Sequence, residues 1–155
     1  MCTTDNSGQN NTSLSMQAEY DTAMTFGIHH LGLTVPNIDQ TAAFFIEILD
    51  YKLVAEKPHY PAKFVSDGTI LLTLWQAESP STAAAYDRKN NIGLHHFALK
   101  VANAQALDTL HNKLKNHSDV HVEFAPESLG DGPARHMMVT IPGGIRAEFI
   151  ALPTP

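Results

Sequence analysis

The sequence holds one cysteine, Cys2, and one tryptophan, Trp75, in 155 residues. A single thiol excludes an internal disulfide and is compatible with a reducing compartment. Clusters of Lys and Arg are absent: 10 basic residues are scattered among 16 acidic ones, for a formal charge of −6 with His neutral. Nucleic acid and anionic membrane are therefore not expected as partners. No apolar run approaches the ~20 residues that span a bilayer, and the first residues lack the basic and apolar segments of a secretory signal. A cytoplasmic location is expected. Residues 1–25 contain no Lys or Arg and are rich in Asn, Ser, Thr and Gln, so they read as a disordered extension or a weakly ordered helix.

What remains is ordinary globular sequence. With 43% hydrophobic and 17% charged residues, the chain can bury one sizeable interior, either as a single domain or as two small modules sharing a core. A repeat decides between these. GIHHLGLTV at Gly27 to Val35 returns as GLHHFALKV at Gly93 to Val101, with five of the nine positions identical and a shift of 66 residues. Each copy alternates after its His pair, which predicts half-buried β-strands. His30, Gly32 and Thr34 then share one face, as do His96, Ala98 and Lys100. Leu31, Leu33 and Val35, with their counterparts Phe97, Leu99 and Val101, share the opposite face, which should pack on a helix. An isolated His-His pair usually means one core histidine and one solvated one. A repeated pair in register instead sets two imidazoles on equivalent open faces, a natural way to bring two ligands to one metal.

Each copy is followed by the same order of elements. Asn37 suits a helix N-cap, with Gln40 three residues on and Ile38, Ala42, Phe45 and Leu49 at helical spacing. Candidate strands follow at Tyr51 to Glu56, Lys63 to Ser66 and Thr69 to Gln76. The polar stretch from Gln76 to Asn91 reads as a linker. In the second copy Asn103 caps a helix carrying Leu107, Leu110 and Leu114. Strands are expected at Val120 to Phe124, Arg135 to Thr140 and Arg146 to Leu152, the last after the Pro142-Gly143-Gly144 turn. The expectation is an α+β fold of two tandem βαβββ modules, residues 26–76 and 92–152, in one domain over 26–152.

Two βαβββ units that each open on a His strand, the second closing on Pro142-Gly143-Gly144-Ile145-Arg146-Ala147-Glu148, resemble the vicinal-oxygen-chelate superfamily. It includes glyoxalase I, methylmalonyl-CoA epimerase, fosfomycin-resistance thiol transferases, bleomycin-resistance proteins and extradiol dioxygenases. The resemblance implies paired modules that curl into a cup, with metal ligands from the first and fourth strand of each. It implies His30, His96 and Glu148 as ligands of one divalent metal (Fe, Mn, Zn or Ni) with positions left open to a small vicinal-oxygen substrate. The fourth position falls at Leu72 or Thr73; Thr73 is favoured, being the polar residue of an apolar strand, and is not a carboxylate. Glu148 is then ligand and catalytic base together, although an isolated Glu on an edge strand is more often solvated. His136 and Met138 share the strand parity of Glu148 and are expected to line the cup with Thr73 and Trp75. His136 is read equally as an acid/base or second-shell donor and as a satisfied rim histidine, and Trp75 as core more often than substrate platform. Arg146, at a strand start, reads as solvated. His59, His111, His117 and His121 receive no function.

The implied activity is an isomerase or lyase of glyoxalase (lactoylglutathione lyase) type. One of the two glutamates of glyoxalase I is missing. The alternatives are an extradiol-type dioxygenase, for which Met138 stands where that group has a tyrosine, and a non-catalytic ligand-binding protein of bleomycin-resistance type. A homodimer is expected, and the cup forms either within one chain or between two.

Overall fold

The computed structural model describes residues 23–25 and 27–153, so the N-terminal extension lies almost wholly outside the described residues. Two four-stranded mixed sheets, each with one helical segment against it, make an α+β fold. In the first module β1 (His30–Val35) is followed by α1 (Ile38–Ala43), a π-helical turn (Phe44–Ile48), β2 (Lys52–Lys57), β3 (Ala62–Ser66) and β4 (Leu71–Gln76). The second holds β5 (Phe97–Val101), α2 (Ala104–Leu114), β6 (His121–Ser128), β7 (Arg135–Thr140) and β8 (Arg146–Ala151). Strand orders are β1-β4-β3-β2 and β5-β8-β7-β6, so the repeat in sequence is a repeat in topology.

Both helices start where the capping residues place them. Asn37 Oδ1 accepts from Gln40 N at 3.1 Å and Asn103 Oδ1 from Ala106 N at 2.9 Å, satisfying a backbone donor that the first turn cannot pair internally. The first helix differs from its expected course. It widens at Phe44 into a π-helical turn that buries both Phe44 and Phe45, and it closes at Asp50, whose φ of 59° is left-handed. An aspartate tolerates that conformation better than most side chains. Strand limits also shift: β5 begins at Phe97 rather than Leu94, and β6 runs on through Pro126 to Ser128 across two register irregularities.

Strand alternation holds. Leu33 and Val35 of β1 are buried while His30, Gly32 and Thr34 are exposed. The apolar faces of both sheets meet the helical segments in one core containing Val35, Phe45, Leu72 and Leu74 with Leu107, Leu114, Met137 and Phe149. Burying side chains of this size supplies ~1.5–3 kcal/mol each, and the modules share that core instead of holding separate ones. Their polar contacts lie on the same helical side. Thr41 Oγ1, fully buried, lies 3.1 Å from Asn37 O and 3.2 Å from Pro142 O, and Lys113 Nζ donates to Ile48 O at 3.2 Å. No strand ladder joins the two sheets among the described residues. The eight strands therefore do not form one continuous sheet within the chain.

Candidate functional site

Strand register fixes which residues occupy equivalent places on the two open faces. Gly32 of β1 is opposite Thr73 of β4, and Ala98 of β5 is opposite Glu148 of β8. Because Gly32 and Ala98 are repeat partners, Thr73 holds in the first module the place of Glu148 in the second, and Leu72, fully buried, faces the core.

On the second module, Glu148 joins two imidazoles. Its Oε2 lies 3.1 Å from His96 Nε2 and its Oε1 lies 2.6 Å from His136 Nδ1. The Glu148 side chain is 11% exposed, so these contacts stand in for water that burial removes. Met138 is opposite Glu148 in the ladder and buried beside it, and the Phe124 ring lies 5.0 Å from that of His136. His136 is thus a direct partner of the carboxylate.

The first module presents a different face. Trp75 Nε1 donates to Thr73 Oγ1 at 3.0 Å, and the indole lies 5.1 Å from the Tyr60 ring and 5.9 Å from that of Phe64. Trp75 is therefore half-buried in an aromatic group on the open face with Phe64 and the exposed Tyr60, and not a core residue. Gly32 keeps this face open: a Cβ there would stand 3.2 Å from Thr73 Oγ1 and 3.6 Å from Trp75 Nε1. His30 is exposed at the start of β1, its Nδ1 2.9 Å from that of His29; the pair His95 and His96 repeats this at 2.8 Å.

The structure thus brings His96, Glu148, His136 and Met138 together on one module and Thr73 and Trp75 together on the other. It does not bring His30 to Glu148: among the described residues no three His, Cys, Asp or Glu side chains converge as a metal centre requires. His96 and Glu148 are two adjacent donors of the N and O types that first-row divalent metals accept, so the donor chemistry fits such an ion, with the set incomplete within one chain.

Arg146 departs from its expected solvation. Its side chain is 11% exposed and its Nε donates to both oxygens of Glu123, at 3.1 and 2.9 Å, while Arg88 of the linker approaches the same carboxylate at 3.7 Å. Glu123 lies at a register irregularity of β6, so simple alternation could not assign its side chain to this face. These groups border a cavity of about 550 Å³ that also includes Tyr86, Lys89 and Thr140. Tyr86 Oη donates to His95 O, tying the linker to the His strand. Desolvation, then His96 and the guanidiniums of Arg146 and Arg88, hold the His95 imidazole below its ordinary pKa.

A family model described as Glyoxalase/Bleomycin resistance protein/Dioxygenase superfamily matches residues 27–149. A 2-epi-5-epi-valiolone epimerase from Actinomyces sp. is 30% identical over 148 residues, covering 81% of this chain and 79% of that protein. Among solved structures, a glyoxylase/bleomycin resistance protein/dioxygenase domain from Frankia sp. superposes with a TM-score of 0.69 at 21% identity, over 81% of this chain and 91% of that one. A genomically encoded fosfomycin resistance protein from Listeria monocytogenes superposes with a TM-score of 0.66 at 18% identity, over 84% and 96%. At these identities the structural matches speak to fold alone. Among the described residues no helix is long and apolar enough to cross a membrane.

Proposed function

Because the chain belongs to the glyoxalase/bleomycin resistance protein/dioxygenase superfamily, we propose that it is a metal-dependent isomerase of epimerase type, acting on a small substrate with two vicinal oxygens. The observation that carries this is the carboxylate of Glu148, held between His96 and His136 on the open face. The relative at 30% identity, an epimerase, supports proton transfer at a stereocentre over the lyase and dioxygenase alternatives.

In this reading His96 and Glu148 hold the metal on one side, and His30 of the partner subunit completes the set. A divalent ion held by these residues would supply Lewis-acid stabilisation of negative charge on the substrate oxygens. The remaining work belongs to the chain. His136 Nδ1, donating to Glu148 Oε1, orients the carboxylate. The acidic C–H of the substrate, next to a carbonyl, gives its proton to Glu148, and the planar carbanion takes a proton on its other face from solvent water, the proton on Glu148 then passing back to solvent. Trp75, Phe64 and Thr73 of the partner subunit's first module would border the cup opposite and restrict its access to solvent, which strengthens each charge interaction inside.

The dimer follows from how the ligands are divided. Each module carries part of the set on its open face, and the chain's own modules are joined on their helical sides. Two chains related by a two-fold axis would form two equivalent cups, as an isologous interface requires.

The test is metal content by elemental analysis, alongside exchange of substrate protons with deuterated water for a panel of α-hydroxyketones. Metal in the wild type, reduced in His30→Ala, His96→Ala and Glu148→Gln, with solvent exchange lost in the last, is the expected outcome. A wild type that takes up no metal on reconstitution, or that holds metal yet exchanges no proton in any such ketone, would overturn it.

A further inference from the structure

The cavity bordered by Arg146, Arg88 and Lys89 gathers more positive than negative charge, in a chain whose overall charge is −6. Arg146 projects from β8 two residues before Glu148, so both side chains stand on the same face of the strand, ~7 Å apart along it. Thr140 is opposite Arg146 and Met138 opposite Glu148, which makes one continuous floor from the carboxylate to the cavity.

Three cations border this cavity: Arg88, Lys89 and Arg146. Of the two acids, Asp87 is turned into its own loop. Its Oδ1 accepts from Lys89 N at 2.8 Å and Asn90 N at 3.2 Å, and its Oδ2 from Asn90 Nδ2 at 2.6 Å. Glu123 alone faces the guanidiniums, and it engages Arg146 through Nε only. Neither Nη of Arg146 makes a hydrogen bond among the described residues. The guanidinium is thereby fixed by one edge, with its remaining donors left for a ligand. A held guanidinium such as that of Arg146 loses little freedom on binding an oxyanion, and with the more mobile Arg88 guanidinium and the Lys89 ammonium it suits the geometry and charge of phosphate.

We propose that this cavity is the phosphate subsite of the substrate: Arg146, Arg88 and Lys89 take the phosphate of a phosphorylated vicinal-oxygen compound whose chelating end lies at His96 and Glu148. Against Glu123 and Asp87 the three cations leave one positive charge, and a phosphate monoester carries about −1.5 to −2 at neutral pH. The subsite thus also orients the substrate, since the anion is drawn to one end of the floor and the reacting carbon to the other. The placement of the chelating end rests on the proposed metal site, whereas the phosphate contacts do not.

Two probes separate these layers: glycolohydroxamate, a vicinal-oxygen chelator, and phosphoglycolohydroxamate, the same chelator with a phosphate. Titrated calorimetrically into the metal-loaded protein, the phosphorylated probe should bind at least ~10-fold more tightly, about 1.4 kcal/mol. Arg88→Gln and Lys89→Gln should each erode that preference severalfold while glycolohydroxamate affinity and the melting temperature hold. Arg146→Gln should abolish the preference. Equal affinity for both probes in the wild type, or a full preference in Arg88→Gln and Lys89→Gln alike, would overturn the phosphate subsite and leave chelation standing. Should glycolohydroxamate fail to bind while inorganic phosphate binds the wild type, binds Arg88→Gln severalfold more weakly and does not bind Arg146→Gln, the subsite would be upheld and the metal reading lost.

Discussion

Glu148 touches two imidazoles, and removing each should have a different consequence. His96 is read as a ligand, so its loss should remove most metal affinity. His136 acts through the carboxylate by holding Oε1 at 2.6 Å. His136→Ala should therefore weaken metal binding about 10- to 100-fold, as the loss of a second-shell partner does, with the fold intact by circular dichroism. Competition against a chromophoric chelator measures this, and unchanged affinity would separate His136 from the metal role. Asp67 provides a stability prediction. Burial raises its pKa, but the Ile70 and Thr69 amides and the Tyr51 hydroxyl outweigh that and leave it lowered. Its contribution is therefore present above its unfolded value of 3.8 and lost as pH falls through the lower folded value. Tyr51 is raised, first by burial and then by Asp67, so its contribution holds below pH 10 and is lost above it. In Asp67→Asn the acid limb of melting temperature against pH should flatten below about pH 4; an unchanged limb would refute the assignment. At this scale a repeat or a parity makes placement legible: His96, Glu148 and Met138 come together as alternation places them. Sequence alone misleads on Arg146, which reads as solvated, because its partner Glu123 sits at a strand irregularity that alternation cannot represent.

The turn between β7 and β8 is where one module's element fits against the other's. Gly143 has a φ of 100°, and a Cβ there would stand 3.3 Å from both Thr41 Oγ1 and Val35 Cγ1. Gly143→Ala thus meets two obstacles: a left-handed backbone and a tight seam beside a fully buried threonine. A cost of roughly 1–3 kcal/mol follows, or about 2–4 °C of melting temperature per kcal/mol in a chain of this size. Gly144→Ala is the control, with a φ of 80° but nothing within 4 Å, so the difference between the two in a thermal melt isolates the seam. An equal loss in both would show that backbone strain alone is responsible. Elements were legible where local chemistry fixes them: Asn37 and Asn103 cap, and β1 alternates as its sequence does. The π-helical turn was not, because widening at Phe44 is set by the core that Phe44 and Phe45 enter, a tertiary cause. The strands from Leu71 and Phe97 start later than their apolar content suggests, because a strand extends only as far as its partner pairs with it.

For the molecule as a whole, the question left open by the sequence is where His30 meets its partners. The repeat revealed two equivalent His strands but could not tell which chain's copies face each other, since that depends on how the modules are joined. In the structure they are joined by a shared core and by Thr41–Pro142 and Lys113–Ile48 contacts on the helical side, and no three ligands converge among the described residues. A cup shared between two chains therefore predicts complementation. His30→Ala and His96→Ala should each be defective alone, because every shared site in either homodimer lacks one imidazole. In a mixed dimer one cup collects both substitutions, and the other collects His30 from one chain and His96 with Glu148 from its partner, all unaltered. Random reassortment makes half the dimers mixed with one sound cup each, so metal capacity should recover to about a quarter of wild type. Mixing the purified variants, dissociating and reassociating them, and measuring bound metal per chain gives the number. Recovery without reassociation, or none after it, would contradict a shared cup, and the latter would require the two modules of one chain to close on each other when metal binds.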